Sequence, residues 1–166
     1  MPRNNSFAAE EDAGAAKATA AEKAFIKKAA DGGMTEVEMG QLAAEKGGSD
    51  AVKDFGSRMV KDHGKINDEL KEVAGKLGVT VPTKISAKHE AAIKKMSALS
   101  GAAFDNAYVP DMVTDHKKDI AEFEAAQKTV KSEDLKEFIE HSLETMKDHL
   151  QKIEKFDQAP GHEKKS

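Results

Sequence analysis

From Val52 to Leu77 the chain places Val52, Phe55, Met59, His63, Ile66, Leu70, Val73 and Leu77 at intervals of 3, 4, 4, 3, 4, 3 and 4. Those intervals bring all eight side chains to one face of an α-helix, which turns every 3.6 residues. An apolar stripe of this length must be covered, and other helices are its natural cover. One member of the stripe is a histidine. An imidazole buried without a partner costs stability, so its position asks for a reason.

The phrase around that histidine recurs. Residues 59–70 read MVKDHGKINDEL and residues 112–123 read MVTDHKKDIAEF, both fitting M-V-x-D-H-x-K-x3-E-[L/F]. A third fragment, MKDHL, stands at 146–150. Periodicity predicts three more helices besides the one over about 51–77. The first runs from about Ala20 to Lys46, with Phe25, Ala29, Gly32, Met39 and Ala43 on its apolar face and Ile26, Ala30, Gly33, Val37 and Ala44 beside it. Its glycine pair, Gly32-Gly33, costs about 1 kcal/mol per residue against alanine. That pair implies a close approach, a kink or a split. The third long helix covers about 102–130, with Val109, Met112, His116, Ile120 and Phe123 on one face. Pro110 inside it removes an N–H, so a kink or a break is expected there. The fourth covers about 133–156, capped by Ser132, and carries Leu135, Ser142, Met146, His149, Ile153 and Phe156.

Between the second and third long helices lie an extended stretch over 78–84 and a shorter helix over 86–98. Together they reach about 40 Å, the length of a long helix. Such a connection crosses the whole bundle and leaves its flanking helices parallel, as in ferritin-like folds. The expected architecture is therefore all-α: a ferritin-like four-helix bundle over 21–156, with a long crossover containing a short helix. Residues 1–20 and 157–166 read as flexible polar tails.

Composition narrows the function classes. The chain has no cysteine, which removes disulfides and thiolate chemistry. Its net charge is −4, without a basic, aromatic-interleaved patch, so nucleic acid is not an expected partner. No apolar run approaches the length of a membrane span. The N-terminus carries no apolar core of a signal peptide, which leaves a cytoplasmic location open. Nucleophile, phosphate-loop and dinucleotide motifs do not occur.

Four polar residues occupy core-facing positions on the four long helices: Glu36, His63, His116 and His149. Measured from the two hairpin turns, each antiparallel pair is level within about 5 Å. One layer of the bundle can hold all four. A glutamate and three imidazoles suit one transition-metal ion, whether Zn, Fe, Cu, Ni or Co. Each histidine follows an aspartate: Asp62, Asp115 and Asp148. Neighbours on a helix point about 100° apart, so each aspartate would orient an imidazole of an adjacent helix rather than share an ion with its own. The same residues also fit a metal-free polar layer that sets helix register, or solvated charge. Asp105 and Tyr108, near the start of the third long helix, would cap it and anchor the crossover. His89, His141, His162, Glu38, Glu140 and Glu144 read as surface residues, and the methionines as core filler.

The runs FIKKAADGGMTEVEMGQLAAEKG, VKDFGSRMVKDHGKINDEL and LSGAAFDNAYVPDMVTDHKKDIAEFE, followed by the helix-four HL ending, resemble the bacterial domain-of-unknown-function family numbered 4142. The resemblance spans about 23–156. It implies a ferritin-like helical fold and, since members carry an export signal and are often labelled predicted outer membrane proteins, a periplasmic or envelope location. The family's characteristic polar positions fall on Glu36, His63, Asp105, His116 and His149, which adds Asp105 to Asp62, Asp115 and Asp148 as supporting carboxylates. Pro110 departs from the family's usual third helix. The wider di-iron pattern Glu-x-x-His is missing, because Val60 and Met146 stand three residues before His63 and His149. The expected function is metal binding, as envelope metal buffering or stress protection. The alternatives are a metal-free interaction module and a metal-dependent oxidase or hydrolase.

Overall fold

A computed structural model describes residues 18–157. The two expected tails lie almost wholly outside the described residues, as does His162. The bundle reaches slightly beyond the expected 21–156, because Ala18 is buried in the core and Thr19 caps the first helix. The helices are α1 (Ala20–Lys46), α2 (Asp50–Lys76), α3 (Ala87–Ser97), α4 (Gly101–Thr129) and α5 (Glu133–Asp157).

The helix ends follow from local chemistry. Thr19 and Glu22 form a reciprocal capping box at the start of α1. Ser49 and Ser132 accept hydrogen bonds from the amides of Val52 and Leu135, each at 3.2 Å. At the end of α2, Val79 N–H donates to the Ala74 carbonyl and Gly78 N–H to that of Gly75. Gly78 takes φ 68°, the left-handed conformation this helix stop requires. Pro110 does not break α4, which runs through it without interruption from Gly101 to Thr129.

α1 and α2 form one antiparallel hairpin, and α4 and α5 the other; α2 packs on α5, and α1 on α4. A parallel bridge between Gly47 and Gly101 puts the starts of α2 and α4 at the same end of the molecule. These two helices therefore run parallel, and the segment holding α3 makes the crossover along α1. Each hairpin turn is held by a carboxylate of the other hairpin. Glu22 of α1 accepts from the amides of Lys131 and Ser132 at 3.3 and 3.0 Å. Asp105 of α4 accepts from those of Gly48 and Ser49 at 2.8 and 3.0 Å.

The buried face of α1 is Ile26, Ala30, Gly33, Glu36, Met39, Gly40 and Ala43. The expected face led by Phe25, Ala29 and Gly32 is rotated to the edge of the core. Gly33 takes the close approach, since a Cβ there would lie 2.0 Å from Asn67 Oδ1. The tightest approach to another helix's backbone is one the sequence did not single out: a Cβ on Gly56 would lie 2.5 Å from the carbonyl oxygen of Gly40. No helix among the described residues is long and apolar enough to cross a membrane.

The apolar core forms two clusters. One gathers residues such as Ile26, Leu70, Ile120 and Met146; the other gathers Met39, Met59, Met112 and Ile153. On every long helix the residue between the two clusters is polar: Glu36, His63, His116 and His149. The interruption of the apolar stripes is therefore a layer across the bundle.

Candidate metal centre

His63 of α2, His116 of α4 and His149 of α5 meet in that layer. They are 4%, 1% and 0% exposed. One ring nitrogen from each lies within 4.8 Å of those of the other two, and this is the one group of three or more such ligand residues among the described residues. The ring centroids are 5.4 Å apart for His63–His149, 5.6 Å for His116–His149 and 6.1 Å for His63–His116. Phe55 lies against His116 and His149, with centroids at 6.5 and 6.0 Å.

The hydrogen bonds assign the protons of His116 and His149. His116 Nδ1–H donates to the Met112 carbonyl at 2.9 Å, one turn back along α4. Its lone pair is then on Nε2, which is buried and has no partner. His149 Nε2 stands 2.7 Å from Asp62 Oδ2, on the neighbouring α2. That oxygen also accepts from Arg58 Nε at 2.8 Å. Burial pushes the Asp62 carboxyl upward, but its bonds to His149 and Arg58 outweigh this and hold it below the usual range. The His149 ring is shifted downward by burial, against the pull of Asp62. The pair is thus a carboxylate accepting from a neutral imidazole, with the His149 lone pair on Nδ1, again buried and unpartnered. His63 Nε2 is the third unpartnered nitrogen. Burial, reinforced by the other two rings, keeps His63 well below its ordinary pKa, and burial pushes His116 down to about 4. Three neutral imidazoles close together leave three buried ring nitrogens without a partner, which is a donor set for a soft or borderline cation.

Glu36 reaches the same layer but not the same cluster. It is 5% exposed, and its Oε2 has no partner. Its carboxyl is pushed well above the usual range by burial and then by Asp119, Asp115 and Asp111 of α4. Burial and the neighbouring Asp115 raise Asp111 to about 6 and Asp119 to about 7, and burial raises Asp115 as well. Glu36 therefore shares its cavity with carboxylates, and one with His63, and does not complete a ring with the histidines.

The four aspartates with expected supporting roles part company. Asp62 contacts an imidazole of the adjacent helix. Asp105 instead holds the turn before α2, not the crossover, because α4 starts beside that turn. Asp115 turns toward α1 and α3, where it lines a cavity with Glu36 and His89. Asp148 lies at the surface and pairs with Lys152 at 2.7 Å. Among the surface histidines, His89 is half-exposed and bonds Asp31 at 2.7 Å, whereas His141 is open to solvent. Glu38, Glu140 and Glu144 are exposed. Asp111 and Asp119 were not singled out in the sequence. Their signal was the four-residue spacing with Asp115, which sets three carboxylates on one helix stripe.

Removing the Asp62 carboxylate leaves the His149 ring without its orienting acceptor. Asp62→Ala is expected to weaken any metal affinity of the three rings by about 10- to 100-fold, the usual effect of losing such a partner. Titration of both proteins with the same ion checks this.

The molecule is an all-α, ferritin-like four-helix bundle with a polar layer of three histidines at its centre. The chain belongs to the family described as a domain of unknown function, DUF4142, which it matches over residues 7–156. Among solved structures it is similar to the crystal structure of a DUF305 fragment from Deinococcus radiodurans, with a TM-score of 0.74 at 14% identity, over 84% of this chain and 97% of that one. At that identity the likeness concerns the fold. A comparison with curated proteins finds no match.

Proposed function

We propose that this protein binds one transition-metal ion in the bundle core through His63, His116 and His149, and that it serves metal buffering or stress protection in the bacterial envelope. The observation that carries this is the set of three unpartnered nitrogens. Burying polar atoms unsatisfied costs about 1–3 kcal/mol each. A fold that does so three times within one small cluster has a use for the lone pairs. Three neutral imidazoles suit Zn, Cu, Ni, Co or Fe, with water or a carboxylate in the remaining position. The bond from His149 to Asp62 is the arrangement commonly found behind a metal-ligating imidazole. The envelope location rests on the family resemblance.

Metal analysis of the purified protein, followed by titration with Zn2+, Cu2+, Ni2+ and Co2+, tests this. One ion per chain is expected. At a free concentration about one hundred times its dissociation constant, it would stabilise the fold by about 2.7 kcal/mol. A His63→Ala/His116→Ala variant that still melts cooperatively should lose both effects. If no ion binds in stoichiometric amount and chelators leave the melting temperature unmoved, the proposal fails, and the layer serves to set helix register.

A further inference from the structure

We propose that the acid-lined cavity between α1, α3 and α4 is the entrance by which a hydrated divalent cation reaches the three histidines, with Glu36 passing it from the α4 aspartates toward His63. The inference rests on the metal-binding reading above and adds a route to it.

Asp111, Asp115 and Asp119 recur every four residues and so form one stripe along α4. They face Glu36, whose buried Oε2 has no partner. All four line a cavity of about 260 Å3. No ion pair within 4.0 Å joins any of the four to a cation among the described residues. Lys28, which shares the cavity wall, is held by Glu122 at 2.7 Å. His89 is held by Asp31 at 2.7 Å. Lys88 and Lys118 line the same cavity but are exposed at its rim. Four carboxylates around one cavity without a paired cation repel one another unless protons or a cation enter. The wall carries five carboxylates, with Glu122, against three lysines, and a cleft with an excess of one sign of charge concentrates ions of the opposite sign.

A second cavity, of about 270 Å3, adjoins the first and is lined by His63. Glu36, Asp119, Glu122, Lys28 and Gly32 belong to both walls. The rest of the second wall is largely apolar, with Phe25, Ile66, Phe123 and Met146. A dication would not cross such a surface unaided. Glu36 and Asp119 therefore mark its path. The carboxylates are also spread too widely for three of them to clasp a bare ion, since the histidine cluster is the one such group among the described residues. A looser cavity with room for several waters, at about 30 Å3 each, suits a hydrated ion in passage better than a stored one. Gly32 keeps the passage wide, as a Cβ there would meet nothing within 4 Å.

Stopped-flow loading with Co2+, whose visible absorption reports imidazole ligation, tests the route at low ionic strength. Two variants separate charge from space. Asp111→Asn/Asp115→Asn/Asp119→Asn removes the attraction and keeps the volume. Gly32→Leu fills the passage with a better helix former and leaves the charges in place. Each is expected to slow loading about tenfold or more, and the triple variant should also lose the salt dependence of the parent, a range typical of electrostatic steering. The end-point spectrum at saturating Co2+ should match that of the parent in both. Parental loading rates in either variant, with that spectrum intact, overturn the route and leave the metal centre standing. If the parent itself never develops the spectrum, the metal-binding reading falls and the route with it.

Discussion

Gly56→Ala is expected to destabilise the protein by about 3 kcal/mol, the upper end of the usual cost of overpacking. The added Cβ would lie 2.5 Å from the Gly40 carbonyl oxygen, 2.6 Å from Ala43 Cβ and 2.7 Å from the Ala44 nitrogen. Two of these are backbone atoms, which no rotamer change can move aside. The only relief is to drive α1 and α2 apart. That separation would loosen Ala43, Val52 and Met59, which are at most 3% exposed. It would also reach the polar layer, because His63 lies two turns after Gly56 and Glu36 one turn before Gly40. Gly64→Ala is the matched control on the same helix. A Cβ there meets nothing within 4 Å, and the change should gain up to about 1 kcal/mol of helix propensity. Denaturant melts of both variants decide the matter, and equal stabilities would refute the close-packing account.

The second large effect has the opposite sign. Asp119→Asn is expected to stabilise the metal-free protein by about 3 kcal/mol above neutral pH. The folded protein raises Asp119 from 3.8 to about 7, chiefly by burial and then by Asp115 and Glu122. One pKa unit is worth about 1.4 kcal/mol, and the side chain keeps some contact with water, which reduces the total. The folded state holds this proton more tightly than the unfolded chain does. Its contribution is therefore fully present below about pH 4 and is lost as pH rises through about 7. Asparagine does not titrate. The stability difference between variant and parent should thus grow from pH 4 to pH 7 and level off above. His116 titrates the other way, since burial lowers it and its contribution disappears as pH falls from 6.5 toward 4, and burial shifts His63 in the same direction. Both proteins share that loss, so the difference reports Asp119 together with the push it exerts on Glu36. A difference that stays flat from pH 4.5 to pH 8 would show that the carboxyl is not held protonated by the fold.

Much of this was legible in the chain because the information is local. The helices over 50–76 and 133–157 follow from regular inward stripes, apolar but for His63, Ser142 and His149, and their ends from Ser49, Gly78 and Ser132. The level of the three histidines follows from counting residues back to two turns, since a helix rises by a constant amount per residue. Of the three aspartates expected to reach an imidazole on another helix, Asp62 contacts His149, whereas Asp115 lines the acidic cavity and Asp148 pairs with Lys152. Of the kink or break expected at Pro110, the break does not occur. A continuous α4 tolerates the missing hydrogen bond where helix packing on both sides supports it.

The rotation of α1 was not legible. Small residues occupy both of its candidate faces, so periodicity leaves two answers about 100° apart. The packing of Gly40 on Gly56 chooses between them, and that choice turns Glu36 toward the aspartates of α4. Asp105 is a similar case, for nothing near it in the chain says that the turn before α2 lies within reach of its carboxylate.

The sequence by itself determined the helices, their lengths, the long crossover and the three histidines on inward faces, because each is set by spacing within one segment. Only the tertiary structure decided which buried groups share a cavity. That depends on helix rotation and backbone approach, which arise between segments far apart in the chain. Hence the histidines and the carboxylates, level with one another along the bundle, form two neighbouring clusters rather than one.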